Sequence, residues 1–135
     1  MTKSDFEKRI DWELERRVML VVANEGAEGL YELPGELTRF NFKLHERMFV
    51  CVEIVSELLS ERLIKLEEFQ DVSDTEPSKT VPPVMYDKIL NNHWSWYPSS
   101  RPGYSIGITA LGIDVLENLG KDDQLALKKR MFSQD

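Results

Sequence analysis

The chain has 135 residues, the length of one ordinary domain, and its hydrophobic fraction of 41% argues against extended disorder. Its net charge of -7 argues against strong nonspecific binding to nucleic acid, because that binding depends on Lys and Arg displacing counterions from phosphate. A single cysteine excludes an intramolecular disulfide, and the polar N-terminus and the lack of a bilayer-spanning apolar segment predict a cytoplasmic protein that does not bind membranes.

The first predicted element is a long helix from Ser4 to Asn24. Ser4 and Glu7 have the spacing of a capping box, in which each side chain satisfies a backbone amide at the helix start. Apolar residues then recur at three- or four-residue spacing and predict one core-facing stripe, formed by Phe6, Ile10, Leu14, Val18 and Val21. Gly26 lies just beyond this stripe and is suited to end the helix.

A short strand, a short helix and a second long helix are predicted next. We expect the strand at Leu30 to Leu33, and the short helix from Pro34 to about Phe40 because proline suits the first helical position. Helical spacing returns from Leu44 to Arg62, with one apolar face formed by Met48, Cys51, Val52, Val55, Leu58 and Leu59. Cys51 is alone in this run and is expected to be an inert core residue.

Residues 63–70 alternate apolar and polar side chains, as a half-buried strand does. The insertion that follows, residues 71–103, holds most of the prolines and opens with a polar run typical of a loop. Because a loop of this length is unusual in a compact domain, we expect a short helix inside it, at Pro82 to Asn92. The aromatic cluster that follows must pack against something; it contains Trp94, Trp96 and Tyr97.

The C-terminal third begins with a predicted strand at Tyr104 to Ile108. Thr109 is suited to cap the next helix, whose apolar face contains Leu111, Val115, Leu116 and Leu119 and which ends at Gly120. A tail helix is predicted from Lys121 to Asp135. We therefore expect a domain at residues 1–120 and a separate tail at residues 121–135.

Two passages resemble winged-helix regulators of the MarR and PadR type. Residues 54–64, Ile-Val-Ser-Glu-Leu-Leu-Ser-Glu-Arg-Leu-Ile, resemble the end of the recognition helix running into the first wing strand. Residues 104–119 resemble the second wing strand and the following helix, with the pattern Tyr, strand, Thr, two residues, Gly and a Leu-Glu helix. Arg62 stands where the family commonly has Gly, and the insertion at 71–103 is longer than in the family.

The resemblance implies an α+β fold that is mainly α: a winged helix-turn-helix domain with a small antiparallel β-wing and a C-terminal helix. It also implies that the N-terminal end of the helix at Leu44 to Arg62 faces the major groove of double-stranded DNA. Candidate DNA-binding residues are Arg39, Lys43, His45 and Arg47 near that end, and Lys79 and Arg101 in the insertion. Ordinary solvated charge is the alternative interpretation of these residues.

Further along the same helix, Glu53, Glu57 and Glu61 lie one turn apart. Their like charges are expected to repel each other and to repel phosphate. These glutamates are therefore candidate residues for binding a protein partner instead of DNA. Trp94, Trp96 and Tyr97 are further candidates for anchoring a protein partner, but they are also suited to stack on nucleic-acid bases, and we expect rather that they pack within the domain or a dimer.

Two hypotheses for the function follow. The leading one is a DNA-binding transcriptional regulator, forming a homodimer because related regulators read two half-sites, with the first helix and residues 125–132 as candidate dimer surfaces. The alternative is an acidic winged-helix module that binds another protein, for example a mobile-element or phage protein that binds a nucleic-acid enzyme.

Catalysis is not predicted. The two histidines have no short metal-ligand spacing, and the sequence has no cysteine pair, no glycine-rich phosphate loop and no G-x-S-x-G motif. Glu7, Asp11 and Glu15 lie one turn apart but are better explained as a solvated acidic edge than as a metal site. We expect no enzymatic activity, no bound metal and no cofactor.

Overall fold

The computed structural model describes residues 5–26, 29–71, 74, 76–98 and 102–132, without the side chains of Asp5, Phe6, Thr38 and Arg39. In these residues the fold is mainly helical, with one three-stranded antiparallel sheet of strand order β2-β1-β3. The strands are β1 (Ile64–Phe69), β2 (Lys79–Thr80) and β3 (Gly103–Ile108). The predicted α+β, mainly α class is confirmed at this level.

The N-terminal segment forms two helices, α1 (Asp5–Lys8) and α2 (Trp12–Glu25), so the single helix predicted from Ser4 to Asn24 is wrong. The break occurs because Asp11 has extended backbone and its Oδ1 accepts a hydrogen bond from the Leu14 amide at 3.1 Å, which starts a new helix. Gly26 ends α2 at a φ of 78°, as predicted. The predicted cap residue Ser4 and the side chain of Phe6 lie outside the described residues.

The core side of α2 is wider than the predicted stripe. Val18 is buried as expected, whereas Leu14 and Val21 are only half-buried. The other buried apolar residues of this helix are Met19, Leu20, Val22 and Ala23. Helix α2 is covered on several sides by the elements packed against it, so a single stripe underestimates what it buries. This packing also leaves little of α2 for the dimer surface predicted there.

A 3₁₀ helix spans Leu30–Phe40, where a strand was predicted at Leu30 to Leu33. The strand prediction is wrong because the buried residues Leu30, Leu33 and Leu37 recur every three or four positions, which places them on one helical face. Only Gly29, directly before this helix, forms a β-bridge, and its partner is Ser105.

Helix α3 (Leu44–Ser60) is the predicted second long helix. The Glu46 carboxylate accepts a hydrogen bond from the Lys43 amide at 2.8 Å and closes the first turn. Beyond its last turn, Arg62 has a φ of 62°, in the left-handed region that glycine prefers and that costs an ordinary side chain about 1 kcal/mol. The chain then enters β1 directly.

Strands β1 and β3 pair over their full length, from Ile64 opposite Ile108 to Phe69 opposite Gly103. Leu66 and Ile106 are opposite each other and buried in the core. Because side chains alternate across a strand, Glu67 and Ser105, also opposite each other, lie on the outer face of the sheet. Strand β2 pairs with β1 on its other side.

The insertion contains the helix predicted at Pro82 to Asn92, in the form of a 3₁₀ turn (Pro83–Met85) followed by α4 (Tyr86–Leu90). A further 3₁₀ turn spans His93–Trp96. Ile89, Leu90 and Trp96 are buried in the main hydrophobic core. The insertion is therefore an integral part of the domain.

Helices α5 (Ala110–Glu117) and α6 (Lys121–Phe132) follow β3. The Thr109 hydroxyl accepts a hydrogen bond from the Gly112 amide at 3.1 Å and lies 2.7 Å from the Arg62 carbonyl oxygen, so it links the start of α5 to the end of α3. Helix α6 packs against α2, where Arg130 forms a bidentate ion pair with Glu15. Within the described residues, no helix has the length and apolar composition needed to cross a membrane.

Candidate interaction surface

The N-terminal end of α3 holds part of the predicted basic patch. Lys43, at the cap position, and His45, in the first turn, are exposed. Arg47 is half-buried, and its Nε is fully buried without a hydrogen-bond partner in the described chain. The side chain of Arg39 lies outside the described residues. The structure therefore brings Lys43 and His45 to one surface but does not place Arg47 fully beside them.

The solvent-facing stripe of α3 is apolar and acidic beyond its first turn. Its exposed members are His45, Phe49, Glu53, Glu57 and Ser60, and Leu44 at the helix start is 63% exposed. Phe49 is 43% exposed, so part of its aromatic ring faces solvent. We call Leu44, His45, Phe49 and Glu53 the α3 front.

Two of the three predicted glutamates are neutralised by a cation from another helix. Arg16 of α2 contacts Glu57 and Glu61 through its two terminal nitrogens, each at 2.5 Å. The predicted mutual repulsion of these two carboxylates is therefore relieved, and sequence spacing missed the contact because Arg16 lies more than forty positions away. Glu53 forms no ion pair with any residue that the structure describes.

The strands and loop predicted to form a wing provide little positive charge. Lys79 of β2 is exposed, but its Nζ lies 3.7 Å from Glu68 of β1. The loop between β1 and β2 presents exposed acidic side chains at Asp71, Asp74 and Glu76. Arg101 lies outside the described residues. In the described part of the chain, the predicted wing is thus more acidic than basic.

The predicted aromatic cluster divides into two parts. Trp96 is buried, and its Nε1 donates a hydrogen bond to the Leu90 carbonyl at 3.0 Å, so this side chain belongs to the core. Trp94 and Tyr97 are 61% and 49% exposed and lie together, with ring centroids 5.3 Å apart. Only Trp94 and Tyr97 therefore remain available to a partner.

A cleft of about 650 Å³, which the sequence did not predict, lies beside the outer face of β1 and β3. The start of the 3₁₀ helix at Tyr31 and Glu32 forms one wall, and the insertion at Ser95 and Tyr97 forms another. Its lining residues come from four separate segments of the chain, so no local sequence pattern predicts the cleft. We call it the sheet cleft.

Cys51 is fully buried in α3, and burial raises the pKa of its thiol to about 12. Because only the thiolate is a strong nucleophile, we expect the folded protein to be unreactive toward a disulfide reagent such as DTNB at about pH 8. After denaturation the same sample should release one equivalent of thionitrobenzoate. Fast reaction of the native protein, at the rate of the denatured control, would contradict this burial.

No group of three or more metal-ligating side chains is present among the described residues. No family model, curated protein or solved structure matches this chain. Its function must therefore be inferred from its own surfaces.

Proposed function

We propose that this chain is a winged-helix module that binds another protein through the α3 front. The winged-helix part of the proposal is supported by two junctions that the resemblance implies: α3 runs directly into β1, and β3 runs directly into the capped helix α5. The small antiparallel sheet that contains both strands is consistent with a wing.

The observation that carries the proposal is the chemistry of the α3 front. A helix that reads base edges in the major groove presents mainly Arg, Lys, Asn and Gln. This helix instead presents Phe49 and Glu53 on its exposed stripe and Leu44 at its start, and exposed apolar side chains beside charged ones are found at protein contacts. The acidic wing loop would also repel a phosphate backbone.

DNA binding by a transcriptional regulator remains the second candidate. It is favoured by the exposure of Lys43 and His45 at the end of α3 that would enter the groove, and by Arg16, which offsets the charge of Glu57 and Glu61. A homodimer is part of this candidate, and Leu125 and Phe132 of α6 are exposed where one of its surfaces was predicted.

The two candidates differ in what contacts Phe49. With a photo-crosslinking phenylalanine analogue at position 49, expressed in the organism that encodes the chain, we expect an adduct that protease destroys and nuclease leaves intact. The control position is Glu117, which is exposed at the last position of α5. An adduct removed by nuclease, or equal protein adducts from positions 49 and 117, would contradict the proposal.

A binding selection on random DNA duplexes at two salt concentrations tests the second candidate directly. We expect the parent and the K43A/H45A variant to enrich no sequence and to lose their weak binding equally as salt rises. Enrichment of one sequence by the parent but not by K43A/H45A would establish DNA binding and overturn our proposal.

A further inference from the structure

The sheet cleft has a floor of small residues and walls that include aromatic residues. Its floor is the outer face of β3, where Gly103 and Gly107 carry no side chain and Ser105 lies between them. Aromatic residues contribute to the lining at Tyr31, Phe69 and Tyr97. A volume of about 650 Å³ is within the range of cavities that hold small ligands.

The charged groups of the described lining have one sign. Four carboxylates line the cleft, those of Glu32, Glu67, Asp71 and Asp74, and no Lys, Arg or His of the described chain is among the lining residues. Lys65 is not among the lining residues, but its ammonium forms an ion pair with Glu67 at 3.8 Å and offsets one of these four charges. The field in the cleft is therefore negative.

Glu67 lies on the floor. A Cβ atom added to Gly107 would come within 2.7 Å of Glu67 Oε1 and 3.1 Å of Lys65 Cε, so both of these side chains lie over the glycine. The side chain of Glu67 is 17% exposed, so its charge is partly shielded from bulk water. A carboxylate in this environment interacts more strongly with a cation than one on an open surface.

Two serines give an independent indication of a ligand. Ser95 and Ser105 line the cleft and are only 6% and 7% exposed, yet neither hydroxyl forms a hydrogen bond with any residue that the structure describes. Strand alternation places Ser105 on the same face as Glu67, the residue opposite it in β1. Both residues line the cleft and lack a protein partner for their hydroxyls in the described chain, so these hydroxyls are suited to accept hydrogen bonds from a bound molecule.

We propose that the sheet cleft binds a small organic polycation with primary or secondary ammonium groups, of the linear polyamine class. Carboxylates only accept hydrogen bonds, and the serine hydroxyls have free acceptor capacity, so the ligand must be rich in N–H donors. The aromatic rings favour a cation near their faces and the alkyl segments between its nitrogens. Carboxylates on separate walls match several positive charges along one chain better than a single charge.

Calorimetry with spermidine and the full chain tests this proposal. The titration is done at an ionic strength of about 0.15 M, because salt at this concentration screens diffuse attraction between a polycation and an acidic protein. We expect saturable binding with one site. E67Q should weaken it by about tenfold, because a charged hydrogen bond on the cleft floor is lost. E53Q removes the same charge from the α3 front and should change the affinity by less than about twofold.

Two further titrations change the shape of the cleft and the chemistry of the ligand, and a folding control accompanies them. G107A keeps every charge but adds a methyl group under the Glu67 carboxylate, and we expect it to weaken binding by about threefold or more. A fully N-methylated quaternary analogue of spermidine, which has no N–H donor, should bind more weakly than spermidine. Thermal unfolding of each variant should confirm that it is folded at the temperature of the titration.

Equal weakening by E67Q and E53Q, or equal affinity for the quaternary analogue, would mean diffuse attraction to an acidic surface and would overturn the proposal. The R101A variant tests whether a cationic side chain of the protein itself occupies the cleft. Arg101 is the residue to remove, because it is only two positions before Gly103 in the sequence. Tighter spermidine binding by R101A, by about tenfold, would mean that this guanidinium is the natural occupant, and it too would overturn the proposal. Glu53 serves here only as a charge control, so these outcomes do not depend on whether the α3 front binds a protein.

Discussion

Replacing Gly112 with alanine is expected to destabilise the fold by about 3 kcal/mol. A Cβ atom at this position would lie 2.2 Å from the carbonyl oxygen of Leu63 and 2.7 Å from Cγ1 of Ile108. The Leu63 carbonyl cannot easily move, because it also accepts a hydrogen bond from the Thr109 amide at 3.1 Å. Alanine is favoured over glycine inside a helix by about 1 kcal/mol, so helix propensity alone predicts the opposite sign. Urea unfolding followed by circular dichroism measures the difference.

Gly120 provides the matched control. It precedes α6, and a Cβ atom there would meet no heavy atom within 4 Å. We expect G120A to change the free energy of unfolding by less than about 1 kcal/mol. If G112A were as stable as G120A, α5 would not pack as closely on the end of α3 as the structure has it.

The same contact explains part of the sequence pattern. In the passage that resembles winged-helix regulators, Thr is followed by two residues and then Gly. Here the Thr109 hydroxyl caps the Gly112 amide, and the bare Gly112 backbone lies against the Leu63 carbonyl. The pattern thus records how closely helix α5 approaches the junction between α3 and β1.

Elements whose signal is local could be predicted from the sequence. The start of α3 at Leu44, the strands β1 and β3 and the Thr109 cap all depend on residues within a few positions of one another. The break before α2 was missed because the apolar spacing continues across it, whereas the capping bond from Asp11 decides the structure. Leu30 to Leu33 was mistaken for a strand because a short apolar run fits both periods.

The surface was harder to predict because its charges are set by distant partners. Arg16 forms ion pairs with Glu57 and Glu61 only because α2 and α3 pack together. Trp96 and Trp94 are two positions apart in the sequence, but Trp96 is buried in the core and Trp94 is exposed. The sheet cleft requires the register of β1 and β3 together with the placement of the insertion. Sequence periodicity describes the faces of single helices and strands, so it predicts neither these contacts between elements nor the cleft.

Replacing Arg130 with methionine is expected to cost about 3 kcal/mol, because it leaves a buried carboxylate without its partner. Arg130 donates to both Glu15 oxygens, at 2.8 and 2.7 Å, and to the Glu36 carbonyl at 2.7 Å. The side chain of Glu15 is only 3% exposed, so water cannot replace the guanidinium while α6 stays in place. Detachment of α6 would let water reach Glu15. Detachment costs little packing because no α6 residue is fully buried, so we expect R130M to lose a free energy of unfolding at the lower end of the range for buried ion pairs.

Two comparisons separate this buried charge from lost packing. Arg17 joins the same two helices through Asp123 at 3.2 Å, but that carboxylate is 49% exposed, so R17M should cost less than about 1 kcal/mol. The double variant E15M/R130M leaves neither charge buried and should recover part of the stability that R130M loses. Urea unfolding of the four proteins, parent included, measures these differences. A double variant less stable than R130M would mean that Arg130 acts mainly through its bond to the Glu36 carbonyl and its packing, and that the charge of Glu15 is tolerated without it.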